Sequence, residues 1–337
     1  MENSIPKWLL EDNDKRSGAY SRDLNDEHFL REMNQRLRED NNSVSSDDSK
    51  PIIFFFGVPR CGKTFFSQML VHLLDLGYPD NIVARFWQSP EYGIRLSSIL
   101  KKAVGGQITF DSDYGKTKGV FDPHDFAYFW HELLKKESHP YDFKAAKDQI
   151  DWYNVGRTLG RFSGSFGKAC LMKGVNPSYH INEIAESYNK SFFIYIKRDF
   201  IDSAVSLYRG RLKNYNDVEH WYGQTPDPEL YHELKKQPYF LQIAGQFKYL
   251  TEMYEAQLKQ MDPKRYMTIN YKDFCQNPAF VIDSLKTRLS NDFDEVINDK
   301  NSLESTQIKY SSHELSDSFY SELLQGLEHY GLPPRIE

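Results

Sequence analysis

Long apolar runs are missing from this sequence of 337 residues. None approaches the roughly 20 residues that a membrane-spanning helix needs, and the first residues lack the apolar core of a secretory signal. Cysteine is scarce as well, because the chain contains only Cys61, Cys170 and Cys275, which are too widely spaced for a paired metal motif. These absences predict a cytoplasmic protein with no membrane span, in a reducing compartment.

An excess of positive charge is also missing. The 42 lysines and arginines are outnumbered by 48 acidic residues, which leaves a net charge of −6. We therefore predict no nucleic-acid partner, and any site for an anion must be local. Aromatic residues, in contrast, are abundant, and 23 phenylalanines and 22 tyrosines are enough for a sizeable core and for apolar grooves.

The chain divides into two parts by composition. Residues 1–50 are polar and charged and end in REDNNSVSSDDSK, which is typical of a linker, with one helix expected over residues 25–39 outside the main core. From residue 51 onward, strand-like and helix-like segments alternate, including an expected strand over NIVARFW at residues 81–87. This alternation predicts an α/β fold with a central parallel sheet flanked by helices. We predict a polar N-terminal extension over 1–50 and a single α/β domain over 51–337.

The segment PIIFFFGVPRCGKTFFSQML, residues 51–70, joins three local signals. An apolar run of strand length ends at Gly57, an amphipathic helical pattern begins near Phe65, and the loop between them matches the phosphate-loop pattern G-x-x-x-x-G-K-[ST]. Backbone N–H groups at the start of a helix face an anion, and the helix dipole favours negative charge there. The segment therefore predicts a phosphorylated ligand.

The residues that end the other strands help to define this ligand. A magnesium-dependent nucleotide enzyme usually places an aspartate at the end of an apolar strand. Here the clearest strand ends in Lys197 and Arg198, and another ends in Lys173. An arginine fork at a strand end, with Ser206 about two helical turns later, is suited to a phosphate dianion. The strand ends favour a second phosphate over a metal ion.

These motifs resemble those of the sulfotransferases that use 3′-phosphoadenosine 5′-phosphosulfate (PAPS) as donor. That family combines a loop of the type [TG]-x-P-[KR]-[SC]-G-[TK]-[TS] with a strand–helix motif R-[DN]-P-x-D-x-x-x-S. This chain has GVPRCGKT and RDFIDSAVS, with Phe200 where proline is usual, and the later segment INYKDFCQNPAFVIDSL is also similar to the family's. The resemblance covers residues 51–290 and implies a P-loop-containing, sulfotransferase-like fold of three layers.

The resemblance also implies roles by position. Arg60 and Lys63 would stabilise charge as the sulfuryl group passes from PAPS to an acceptor hydroxyl or amine and 3′,5′-ADP leaves, with no metal required. Lys63 departs from the threonine that is commoner in the family, so a small-molecule kinase or nucleotide hydrolase using ATP and Mg²⁺ remains the alternative. The cofactor contacts implied by the resemblance are Pro59, Arg60, Cys61, Gly62, Lys63, Thr64, Phe65, Arg198, Ser206 and Tyr271.

The sequence does not identify the general base. The cytosolic branch of the family has a histidine two residues after a strand-end lysine, where this chain has Val175. Glu91, which follows the loop helix, is the first candidate and His124 is the second. Asp125, the neighbour of His124 within FDPHDFAYFWHELL, is an alternative to His124. Because no base is assigned, a nucleotide-binding module without turnover is a further alternative.

The sequence also leaves unassigned the acceptor and the C-terminal residue at the 3′-phosphate. The aromatic-rich region 86–166 suits a small-molecule, glycan or lipid acceptor, and its composition does not choose among them. The resemblance places a basic residue from the C-terminal region at the 3′-phosphate, where Lys300 and Lys309 are candidates. The sequence does not indicate an oligomeric state.

Overall fold

The computed structural model describes residues 5–39, 49–303, 308, 310, 312 and 317–336. Its strands are β1 (Ile52–Phe56), β2 (Ser112–Asp113), β3 (Lys116–Thr117), β4 (Cys170–Lys173), β5 (Ser191–Lys197) and β6 (Tyr266–Asn270). Four of them form a parallel sheet in the order β4-β1-β5-β6, and β2 and β3 form a separate antiparallel hairpin. The predicted parallel sheet is confirmed.

Fourteen helices surround the strands in the described part of the chain. In chain order they are α1 (Lys7–Asp14), α2 (Leu24–Glu39), α3 (Lys63–Leu73), α4 (Pro90–Val104), α5 (Ala127–Leu133), α6 (Phe143–Lys147), α7 (Trp152–Phe166), α8 (Ile181–Ser187), α9 (Phe200–Tyr215), α10 (Pro228–Leu234), α11 (Tyr239–Leu258), α12 (Tyr271–Gln276), α13 (Pro278–Phe293) and α14 (Ser318–His329).

Strands β4, β1 and β5 are buried on both faces, as strands of a parallel sheet between helices are expected to be, whereas the edge strand β6 is partly exposed. All five residues of β1 are buried, and successive side chains of a strand point to opposite faces. Phe55 packs against Phe66 of α3 with the ring centroids 5.7 Å apart, while Phe56 packs against Tyr254 of α11 at 5.0 Å. The two helices therefore lie on opposite sides of the sheet, which gives the three layers that the sequence predicted.

The connections of β1 create the crevice where a ligand can bind. After β1 the chain continues to β4 on one side of it, and then to β5 on the other side. In open parallel sheets, ligands bind outside the carboxyl ends of the strands at such a reversal of strand order. The loop that follows β1 begins at this position.

The strand expected over residues 81–87 does not form, and this prediction was wrong. Val83–Arg85 is instead a short 3₁₀ turn. One carboxylate oxygen of Asp80 accepts hydrogen bonds from the backbone N–H groups of Ile82 and Val83, at 3.0 and 2.9 Å. A side chain that satisfies these donors locally offers the backbone an alternative to a ladder of strand hydrogen bonds.

The N-terminal segment packs against the domain through its two helices. The expected helix is confirmed as α2, where buried Asn34 donates to the carbonyl of Arg85 at 2.7 Å and accepts from the N–H of Gln88 at 3.0 Å. Tyr20 bonds Asp113 of the β2–β3 hairpin at 2.5 Å. The division into an extension over 1–50 and a domain over 51–337 stays a prediction.

Across the described ranges, no helix is both long enough and apolar enough to cross a membrane. Cys61, Cys170 and Cys275 are all buried and carry free thiols.

Candidate active site

The loop between β1 and α3 has a backbone that few residues can adopt. Arg60 has a φ of +69° and Gly62 a φ of +100°, both in the left-handed region. A Cβ atom on Gly62 would lie 2.2 Å from Cε2 of Tyr271, so the ring of Tyr271 packs directly on the loop backbone. Glycine is required at position 62 both for its dihedral angle and for this close approach.

Lys63 lies beneath the loop. Its ammonium group is buried and donates to the carbonyl oxygens of Gly57 and Val58, at 2.6 and 2.7 Å. Burial lowers the pKa of Lys63, while the nearby Cys61 acts in the opposite direction. The side chain that completes the phosphate-loop pattern therefore stabilises the loop itself in this structure.

Arg60 connects the loop to the second sequence motif. Its Nε atom donates to the hydroxyl of Ser206 in α9 at 3.0 Å, and its carbonyl oxygen accepts from Arg198 at 3.1 Å. The Arg60 guanidinium also lies over the ring of Tyr114 at 5.1 Å, and burial lowers its pKa. Residues about 140 positions apart in sequence thus form one cationic site at the carboxyl ends of β1 and β5.

Aromatic rings enclose Arg198. Its guanidinium lies 5.2 Å from the ring centre of Tyr271 and 5.7 Å from that of Tyr310. The hydroxyl of Tyr310 donates to Asp202 at 2.7 Å and to Asp199 at 3.1 Å. The C-terminal region therefore reaches the Arg198 site through a tyrosine, for which the local sequence offers no signal.

A second group of charged side chains surrounds Thr64 on the other side of β1. Lys173, the last residue of β4, donates from Nζ to the Thr64 hydroxyl at 3.0 Å and forms an ion pair with Asp125. The Lys173 side chain is 8% exposed, whereas that of Asp125 is 38% exposed. Asp125 thus presents a carboxylate to solvent beside the loop.

His124, next to Asp125, is not arranged as a base. Its Nδ1 atom accepts a hydrogen bond from the N–H of Phe126 at 2.8 Å. Burial lowers the pKa of His124 to about 4, so the ring is neutral at pH 7. A neutral imidazole that accepts at Nδ1 carries its proton on Nε2 and can only donate from there.

Glu91 lies away from the loop. It forms an ion pair with Arg161 of α7 at 2.6 Å and lines a cavity together with Gly77 and Lys168. Gly77 pairs with Cys170, the first residue of β4, so this cavity is at the amino end of the strands. The loop between β1 and α3 is at the carboxyl end, and the structure does not bring Glu91 together with it.

The remaining predicted positions belong to the wall of the site or lie outside it. Phe65 is half-buried and packs near Phe110 with the ring centroids 6.3 Å apart. Pro59 and Cys61 are buried within the loop. Lys300 lies at the end of α3 away from the loop, where its backbone N–H donates to the carbonyl of Leu73 at 2.7 Å, and Lys309 is outside the described residues.

The β2–β3 hairpin covers the loop from above. Besides Tyr114, which stacks with Arg60, Gly115 lies close enough that a Cβ atom would be 3.6 Å from a guanidinium nitrogen of Arg60. The hydroxyl of Tyr222 donates to the carbonyl of Tyr114 at 2.7 Å, which attaches the hairpin to the domain. Sequence reasoning missed this hairpin, because its strands have only two residues each.

We expect Gly62→Ala to destabilise the protein by about 1–3 kcal/mol, because alanine at a positive φ is strained and its Cβ would meet the Tyr271 ring. The free energy of unfolding in denaturant measures this change. Gly160→Ala is the matched control, since the nearest atom to a Cβ on that helical glycine of α7 is 3.7 Å away. Equal stability of the two variants would contradict the described loop geometry.

No group of three or more histidine, cysteine, aspartate or glutamate side chains in the described ranges is placed to hold a metal ion.

A family model described as "Sulfotransferase family" matches residues 51–295. No curated protein sequence matches the chain.

Solved structures of sulfotransferases are similar to this fold at low sequence identity. A sulfotransferase of Mycobacterium tuberculosis H37Rv is 13% identical, with a TM-score of 0.51 over 97% of this chain and 87% of that one. A sulfotransferase of Mycobacterium avium is 11% identical, with a TM-score of 0.46 over 95% and 80% of the two chains. The first of these two similarities supports the fold alone.

Proposed function

The chain belongs to the sulfotransferase family, and on this basis we propose that it transfers the sulfuryl group of PAPS to a hydroxyl or amine of a small-molecule, glycan or lipid acceptor. One observation carries the proposal: Arg60 of the loop, Ser206 and Arg198 form a single site, with Arg60 bonded to both of the others. A donor with phosphate groups on both its 5′ and 3′ sides requires two neighbouring anion sites.

The side chains at this edge of the sheet fit such a donor. Arg60, Lys173 and Arg198 supply cations, and Thr64 and Ser206 supply hydroxyl groups. The nearby carboxylates of Asp199 and Asp202 are engaged by Arg335, at 3.1 and 3.0 Å, and by Tyr310. The loop amides at the start of α3 would hold the 5′ side, and Arg198 with Ser206 would hold the 3′-phosphate.

When bound, PAPS would supply the sulfuryl group and leave as 3′,5′-ADP. Arg60 and Lys173 would stabilise the charge that develops on the leaving side, and such a donor is typically worth about 10²- to 10³-fold in rate. Lys63 would keep the loop in shape through its bonds to Gly57 and Val58.

We propose Asp125 as the general base. Its carboxylate is exposed to the site and is oriented by Lys173, which also bonds Thr64 at the start of α3. It would accept the proton of the acceptor hydroxyl or amine as the bond to sulfur forms. Of the other sequence candidates, His124 has the wrong tautomer and Glu91 the wrong location for this task.

Thermal unfolding with nucleotides tests the proposal. We expect 3′,5′-ADP to stabilise the protein equally in Mg²⁺ and in EDTA, by about 2.7 kcal/mol at a hundredfold excess over its dissociation constant. ADP, which lacks the 3′-phosphate, should stabilise it less at equal concentration. Stabilisation by ATP that requires Mg²⁺, with none from 3′,5′-ADP, would instead indicate the kinase or hydrolase alternative. Binding of 3′,5′-ADP without turnover of any acceptor would favour the binding module.

A further inference from the structure

The solvent side of α4 carries a row of exposed apolar side chains. Tyr92, Leu96 and Ile99 have exposed fractions of 43, 39 and 52%. Their i, i+4, i+7 spacing places them in one stripe along the helix. Large side chains scattered singly over a surface need no explanation, but a contiguous exposed stripe marks an interaction site.

Cations lie beside this stripe. Arg95 and Lys102 are exposed and one heptad apart, which places them in the adjoining row of the helix. Both open onto a cavity of about 600 Å³ that is also lined by Lys101 and Lys168. The acidic residue of this lining is Glu91, which Arg161 neutralises at 2.6 Å.

Ion pairs offset part of this positive charge. Lys101 pairs with buried Asp80 at 2.8 Å, and Lys168 pairs with Asp75. Arg95 and Lys102 take part in none of the ion pairs found among the described residues, so they supply the excess. Burial, and then the proximity of Lys101 and Lys168, lower the pKa of the neighbouring Lys300. The cavity beside α4 is therefore locally positive although the whole chain has a net charge of −6.

We propose that the α4 face, defined as Tyr92, Arg95, Leu96, Ile99 and Lys102, docks on an anionic phospholipid surface. The stripe enters the boundary between headgroups and acyl chains, as the apolar face of an interfacial helix does. The cations of the adjoining row and cavity bind the headgroup phosphates. The acidic residues elsewhere on the surface repel the phospholipid headgroups little, because charges farther away than the Debye length, about 10 Å at 0.1 M salt, are largely screened.

The shape of the surface favours a membrane over a partner protein. A helix from a partner usually lays its apolar face in an apolar groove. Here the exposed apolar side chains project from the outward side of a single helix. The cavity beside them is lined by cations such as Arg95 and Lys101 together with apolar side chains such as Ile94 and Phe166, so it is not an apolar groove. A convex apolar ridge beside a cationic cavity matches a planar layer of acyl chains and phosphates.

This surface is separate from the candidate active site. The cavity lies beside Gly77 and Lys168 at the amino end of β4, whereas the phosphate loop lies at the carboxyl end of the neighbouring strand. Docking of the α4 face therefore does not depend on which nucleotide binds at the active site.

Vesicle flotation of the full chain tests the proposal. The protein should float with vesicles of phosphatidylcholine and phosphatidylserine, should not float with phosphatidylcholine alone, and should be released by high salt. Arg95→Gln with Lys102→Gln should weaken binding about 30-fold, because each basic residue near an anionic surface contributes about fivefold. Leu96→Ser with Ile99→Ser should weaken it about tenfold or more.

Matched controls use equally exposed residues elsewhere. Phe280→Ser with Leu212→Ser removes apolar side chains that are 69 and 39% exposed, and Lys259→Gln with Lys264→Gln removes two exposed cations from other helices and turns. Both control pairs should float as the unchanged protein does. Failure to float with anionic vesicles would overturn the proposal and favour a protein partner, and equal loss in control and α4 variants would overturn it as well.

Discussion

Asp125→Asn is expected to lower the turnover number for sulfuryl transfer by about 10²- to 10⁴-fold, the usual contribution of a positioned general base. The amide keeps the shape of the carboxylate next to Lys173 but cannot accept the proton of the acceptor. Affinity for 3′,5′-ADP, measured by calorimetric titration, should stay unchanged, because we propose that Asp125 faces the acceptor and not the nucleotide. Steady-state kinetics with any acceptor that supports turnover gives the rate.

Two controls separate chemistry from structure in this test. Formate should restore part of the activity of Asp125→Ala, because a small carboxylate can enter the vacated space, and a purely structural residue would show no such rescue. Glu91→Gln should turn over as the unchanged protein does, since Glu91 pairs with Arg161 at the other end of the sheet. Full activity of Asp125→Asn would exclude Asp125 as the base.

Arg198→Gln is expected to remove the preference for a 3′-phosphate. Hydrogen bonds to charged groups contribute roughly 1.5–3 kcal/mol each, so the affinity for 3′,5′-ADP should fall about 10- to 100-fold for each bond lost. The affinity for 5′-AMP, which has no 3′-phosphate, should change little. Calorimetric titration of both nucleotides into both proteins measures the selectivity.

The neighbouring cation provides the matched control for Arg198. Lys197 ends β5 just before Arg198, but its side chain pairs with Glu255 of α11 at 2.8 Å. Lys197→Gln should therefore leave both nucleotide affinities unchanged. An equal loss of 3′,5′-ADP and 5′-AMP affinity in Arg198→Gln would instead show that Arg198 acts through its bond to the carbonyl of Arg60.

The strand–loop–helix unit could be predicted because all its signals are adjacent in sequence. Apolar residues of β1, the glycines of the loop and the amphipathic pattern of α3 specify their local conformations within about twenty positions. The same local reasoning gave a wrong prediction over residues 81–87. The apolar residues there are typical of a strand, but the Asp80 carboxylate accepts hydrogen bonds from the backbone and holds it in a turn.

The identity of the base could not be predicted in this way. Glu91, His124 and Asp125 are equally polar residues among aromatic ones, and their sequence positions do not say which lies beside the loop. That depends on Lys173, which reaches Asp125 only because β4 pairs with β1 in the sheet. The tautomer of His124 likewise depends on the backbone turn at Phe126.

By itself, then, the sequence determined the α/β class, the loop after β1 that matches the phosphate-loop pattern, and the spacing of Arg198 and Ser206 in one motif, because periodicity and short motifs act over local distances. The tertiary structure alone decided that Arg60 contacts Ser206 and that Tyr114 and Tyr310 enclose the cations. These contacts arise from strand order and from packing between distant segments. No local pattern encodes them, because each needs two parts of the chain that meet only in the folded protein.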